Sequence, residues 1–110
     1  MLTPPQNLAE NSRNLRQRIA AAAQAAGRNV DSITLLAVSK GQPAQSVQTL
    51  AALGQQHFGE NYLQEALPKI ADLRGIALTW HFIGQLQANK TRAVAENFQW
   101  VHTVDRLKLA

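Results

Sequence analysis

The spacing of apolar positions changes once along the chain, near Gly27. Before that point Leu8, Leu15, Ile19, Ala22, Ala23 and Ala26 recur at roughly helical spacing, with arginines between them. Asn7 and Glu10 are spaced for a reciprocal capping box, which predicts a helix starting near Asn7. Gly27 suits its C-terminal cap, because glycine tolerates positive φ. Beyond Gly27, short apolar runs alternate with helical stripes. Ile33 to Val38 is nearly continuous and predicts a strand buried on both faces. Pro43 suits a helix first turn, and Val47, Leu50 and Ala51 form a stripe ending at Gly54. His57 to Glu60 predicts a second strand. Asn61 is placed to cap the next helix, whose stripe is Leu63, Ala66, Leu67 and Ile70. Pro68 is awkward there, since proline inside a helix costs about 3 kcal/mol or a kink. Leu78 to Ile83 predicts a third strand. Asn89 is placed to cap a helix carrying Ala93 and Val94, Trp100 to Thr103 predicts a fourth strand, and Asp105 begins another helix.

One leading helix followed by four strands with three crossover helices predicts an α/β fold. Its sheet is parallel and built from right-handed βαβ units. Two architectures fit. One is a small doubly wound domain. The other is the N-terminal half of a (β/α)8 TIM-type barrel, a fold that typically takes about 250 residues. Periodicity does not separate them. A sequence that stops at a helix start favours the barrel, and 110 residues allow one domain at most.

Composition narrows the class. With 45% hydrophobic and 16% charged residues the chain is globular. No apolar run is long enough to span a bilayer, and the first residues lack the pattern of a secretory signal. Without cysteine, disulfides and thiolate metal sites are excluded. A cytoplasmic location is the resulting expectation. The net charge of +4 includes a modest cluster at Arg13, Arg16 and Arg18, which reads as a solvated helix face. No dense basic stripe or nucleic-acid motif accompanies it. A non-enzymatic interaction module using this basic surface remains an alternative.

Candidate chemistry sits at the strand ends. Lys40 follows Leu35-Leu-Ala-Val-Ser39, at the C-terminal end of the first strand, where parallel α/β folds carry their active face. Apolar strand neighbours would dehydrate its amine, disfavour the charged form and leave a nucleophile able to form a Schiff base with an aldehyde. A lysine that has simply reached solvent is the plainer reading. Asn61, after Phe58-Gly-Glu60, is either a ligand contact or a helix cap. Glu60 is either a general base or a salt-bridge partner, and Gly59 allows close approach. His81, inside Trp80-His-Phe-Ile-Gly84, either meets a planar ligand or is a satisfied core residue. Lys90 is either an anion contact or part of a solvated helix start. His57 and His102 lack partners at metal-ligand spacing. Phosphate-loop, dinucleotide and nucleophile-elbow motifs are absent. Lys40, Asn61 and His81 close successive strands, so a barrel would bring them to one mouth.

These segments also resemble a known family. Leu36-Ala-Val-Ser-Lys40, Phe58-Gly-Glu-Asn-Tyr62 with Gln64-Glu65, Trp80-His-Phe-Ile-Gly84 with Leu86-Gln87 and Asn89-Lys90, and Val101-His-Thr-Val-Asp105 look like successive motifs of the pyridoxal phosphate homeostasis proteins. That family is similar to the N-terminal barrel domain of alanine racemase. The likeness runs from about Leu8 to Ala110, in order.

The resemblance implies a single-domain barrel holding pyridoxal 5′-phosphate (PLP) as a Schiff base. Lys40 matches the family lysine, and Asn61 and His81 match its cofactor neighbours. No catalytic residue and no metal ligand is implied. The function implied is carriage or regulation of vitamin B6, with PLP and PLP-dependent apoenzymes as partners, neither membrane nor nucleic acid, and a monomeric full-length form. A PLP enzyme of the racemase type is the runner-up. It needs a second acid/base, and the lone tyrosine, Tyr62, lies inside a motif. Gly41 stands where many relatives have threonine, which loosens the loop. The family's phosphate-binding segments lie in the half that follows. Residues 1–110 are thus expected to be the N-terminal portion of one PLP-binding barrel, a truncated product or fragment. Alone, such a piece is expected to self-associate or stay partly molten and to bind PLP weakly.

Overall fold

A computed structural model describes residues 4–102. Helix α1 spans Pro4–Ala25. It begins before Asn7, because prolines in a first helical turn forfeit no hydrogen bond. Asn7 therefore lies inside the helix and not at its cap. The other end follows expectation. Gly27 takes φ 72°, the Arg28 N–H donates to the Ala23 carbonyl at 2.8 Å, and the Gly27 N–H donates to the Gln24 carbonyl at 3.1 Å. This is a complete Schellman motif. Of the apolar stripe, Ala23 alone is buried, and Leu15 stays exposed.

Strands β1 (Ala37–Val38), β2 (His57–Glu60), β3 (Thr79–Phe82) and β4 (Trp100–Val101) alternate with helices α2 (Ala44–Ala52), α3 (Leu63–Asp72) and α4 (Thr91–Asn97). All three strand pairs are parallel, and the sheet order is β1-β2-β3-β4. The order never reverses, as it would in a doubly wound sheet, and right-handed crossovers of this kind put every helix on one face. That is the arrangement of half a (β/α)8 barrel.

Strand β1 is shorter than expected and is not buried on both faces, since Val38 is 51% exposed. Only Ala37 and Val38 have a neighbour in the sheet, Phe58 and Gly59 of β2. Residues 33–36 are tied down differently. The buried Gln55 amide donates to the carbonyls of Leu35 and His57, each at 2.7 Å, and Arg16 donates to its oxygen. One side chain thus joins α1, the segment before β1, and β2.

Register sorts the faces. Phe58 pairs with Trp80 and Glu60 with Phe82, and these four point under the helices. There Phe58, Trp80 and Phe82 pack with Val47, Ala66 and Val94. Phe82 meets Phe98 edge to face, ring centroids 5.3 Å apart. The opposite face, the inner one of a barrel, carries Val38, Gly59, His81 and Trp100 in one row. Gly59 lets the side chains of Leu36 and Ile83 close over it, where a Cβ would stand 3.1 Å from Ile83 Cδ1.

Two expected caps are displaced. Helix α3 starts after Tyr62, not Asn61, with no side-chain cap. Asn89 lies in a 3-10 turn, Ala88–Lys90, that leads into α4. Pro68 stays inside α3 with its ring on the exposed side. Thr103 and the expected helix from Asp105 lie outside the described residues.

Candidate functional site

The ends of β1, β2 and β3 lie level, because the Ser39 N–H extends the ladder to the Gly59 carbonyl and the Ile83 N–H extends it to the Glu60 carbonyl. Lys40 comes directly after that last ladder residue. It sits in a turn closed by the Gln42 N–H on the Ser39 carbonyl at 3.0 Å, with Gly41 at φ 73°. A β-branched residue would be strained at that φ, so glycine shapes the loop as well as loosening it. Lys40 is exposed. The dehydration expected from its strand neighbours is not supplied by these residues.

What the residue pattern did not reveal is how that loop is held. Glu60 is fully buried on the helix-facing side of β2, with 0% exposure. Its Oε2 accepts from Lys69 Nζ at 3.0 Å and from the Ser39 hydroxyl. Lys69 Nζ also donates to the Ser39 carbonyl at 2.8 Å and to Glu65 Oε1 at 3.4 Å. The same Glu65 oxygen accepts the Gly41 N–H. Glu60 is therefore the salt-bridge partner of its two readings. All three ammonium hydrogens of Lys69 have acceptors, so this lysine is not a free nucleophile. A signal for it exists in the sequence: Lys69 falls three residues after Ala66 and four before Leu73, on the buried stripe of α3.

Asn61 follows Glu60 at the mouth. Its Oδ1 is buried without a partner among the described residues. Gly84 crosses its backbone so closely that a Cβ there would lie 2.0 Å from the Asn61 carbonyl oxygen. Beside Asn61 opens a cavity of about 280 Å³ whose walls include Tyr62, Gln85, Gln87 and Lys90. Lys40 does not line it.

His81 is buried on the inner face. Its Nε2 lies 2.9 Å from Nδ1 of His57, and its Nδ1 lies 2.8 Å from Nε2 of His102. A neutral imidazole has one donor and one acceptor, so the chain of three rings runs in one direction and the tautomers are set together. Trp100 lies nearly parallel to His81, 7° between planes and 5.9 Å between centroids. Burial, then His102, then His57, lowers the His81 pKa. His57 of β2, His81 of β3 and His102, the residue after β4, make this ladder, which becomes visible only with the register.

The strand ends thus present an exposed amine on a pinned loop, an unpaired carboxamide oxygen, and an imidazole whose nitrogens are engaged. Comparison with known proteins gives this arrangement its context. No protein-family model matches the chain. The pyridoxal phosphate homeostasis protein of Pseudomonas aeruginosa is 58% identical over 94% of this chain and 45% of its own length. That of Escherichia coli is 49% identical over 94% of the chain and 46% of its own. Among solved structures, PipY of Synechococcus elongatus with PLP bound superposes with a TM-score of 0.70 at 45% identity, covering 83% of this chain and 44% of PipY. A protein from Bifidobacterium adolescentis reaches a TM-score of 0.81 at 27% identity, over 99% of this chain and 49% of the other. The chain spans about half the length of the curated relatives it matches. Over that half, in sequence and in fold, it is a homologue of the pyridoxal phosphate homeostasis proteins.

Proposed function

We propose that this chain supplies the lysine-bearing half of a PLP-binding barrel, and that the whole protein serves intracellular vitamin B6 homeostasis as a cofactor carrier without turnover chemistry of its own. The observation that carries this reading is Lys40, an exposed amine whose neighbouring peptides are both held. PLP brings an aldehyde. Lys40 would hold that aldehyde through a C=N bond, its two amine hydrogens and the aldehyde oxygen departing together as water. The residues fit such a ligand. Asn61 Oδ1 is an unused acceptor at the same mouth, suited to a hydroxyl or ring N–H of the cofactor. With both nitrogens of His81 engaged, its part is to wall the site with a ring edge and fix its polarity.

The whole protein works in the cytoplasm as a monomer and delivers PLP to apoenzymes. Among the described residues no helix is long and apolar enough to cross a membrane. Residues 1–110 alone self-associate, because Val38, Trp100 and Val101 are exposed on β1 and β4 and, among the described residues, each of those strands pairs on one side only.

Titration of a full-length barrel carrying this segment with PLP tests the reading. The wild type develops the absorbance of a protein-bound imine, and Lys40→Ala does not. An unchanged spectrum in Lys40→Ala would place the cofactor elsewhere.

A further inference from the structure

The buried charges behind the sheet act on a residue they do not touch. Lys69 holds the Ser39 carbonyl at 2.8 Å, and that carbonyl belongs to the peptide entering Lys40. Glu65 accepts the N–H of Gly41, which belongs to the peptide leaving Lys40. Glu60 orients both partners of the first contact, accepting from Lys69 at 3.0 Å and from the Ser39 hydroxyl. One lysine and two glutamates, from β2 and α3, thus fix the peptide planes on either side of Lys40. The Lys40 side chain itself is exposed.

Packing alone does not ask for this arrangement. Glu60 and Ser39 occupy helix-facing positions level with Phe82, where an apolar side chain would fit. A buried ion pair is often no more stabilising than apolar residues of the same volume, and its best-attested use is to specify geometry. What it specifies here is the path of the loop through Ser39, Lys40 and Gly41.

The geometry points to Glu60, Lys69 and Glu65 as positioning residues for Lys40, fixing the direction from which its amine meets the aldehyde. This rests on the reading of Lys40 as the cofactor lysine. Each acts through the backbone of the Lys40 loop. Fixing an attacking group near its reactive geometry is worth large factors in rate, and a loop free to turn gives them up.

Glu65 is the place to test this, because it is partly exposed and its only contact with the buried cluster is the long one to Lys69, at 3.4 Å. In a full-length barrel carrying this segment, Glu65→Ala frees the Gly41 N–H, and Glu65→Gln keeps an acceptor there. The double variant Glu60→Gln/Lys69→Met removes the buried charges together. Four quantities are read: amide hydrogen exchange at Gly41 without cofactor, the rate of imine formation with PLP, the thermal midpoint, and the site of borohydride-fixed label. Glu65→Ala removes the acceptor of the Gly41 N–H together with the longer Lys69 contact, and is expected to speed Gly41 exchange and slow imine formation by about tenfold. Its melting point should stay near wild type. Glu65→Gln is expected to recover most of the rate, and the double variant to load slowly at Lys40. Faster Gly41 exchange with unchanged loading in both Glu65→Ala and the double variant would overturn the positioning role while leaving Lys40 as the anchor. A wild type that loads PLP without labelling Lys40 would overturn the reading on which it rests.

Discussion

Lys69 Nζ donates to the Ser39 carbonyl across 2.8 Å, linking the middle of α3 to the peptide before Lys40. The bond is buried, and the Glu60 carboxylate beside it is fully enclosed. Breaking one partner therefore differs from removing both. Lys69→Met leaves Glu60 charged and unpaired, and is expected to cost about 3–5 kcal/mol of unfolding free energy. Combining it with Glu60→Leu should recover most of that loss. Chemical denaturation of the single and double variants checks this. Equal losses in both would mean that the pair stabilises the fold through attraction and not through mutual neutralisation.

Gly84 is expected to tolerate no side chain. A Cβ there would overlap the Asn61 carbonyl oxygen, at 2.0 Å, and the obstacle is backbone. Gly84→Ala must displace the loop after β2, at about 1–3 kcal/mol or more. PLP affinity should fall with it, because Asn61 moves. A variant with wild-type melting and wild-type affinity would show that the two loops separate freely.

The histidine ladder predicts a dependence on pH. Burial, followed by His102 and His57, holds the His81 pKa below its ordinary value of 6.5. The folded state keeps this ring neutral at pH values where the unfolded chain has already taken a proton. Its contribution to stability is complete above the unfolded value and is lost as pH falls from there toward the lowered folded one. The melting midpoint should drop as pH is lowered from about 7 to about 5, and His81→Asn should drop less over the same range. Parallel curves for the two proteins would remove His81 as the cause.

Much of this was legible in the sequence, and the rest depended on contacts between distant residues. His57–Glu60 matched the structure because that segment has a partner strand on each side. Ile33–Val38 looked the same, yet only Ala37 and Val38 found a neighbour. Asparagines 61 and 89 resembled caps by local chemistry, but Tyr62 and Lys90 occupy those places. Lys40 and Asn61 fall just after β1 and β2, and His81 lies inside β3, close to the strand ends where spacing put them. The links that organise them were not visible: Lys69 meets Ser39 across 30 positions, and the ladder from His57 through His81 to His102 needs the sheet register. Gln55, joining α1 to the segment before β1 and to β2, is a third case.

The most direct test of the account is covalent. A full-length barrel carrying this segment is loaded with PLP, reduced with borohydride and digested, and the peptides are mapped by mass. The account predicts a pyridoxyl group on Lys40, with Lys69 unlabelled because its three hydrogens are held by Ser39, Glu60 and Glu65. A label confined to Lys69, Lys90 or Lys108 would contradict it.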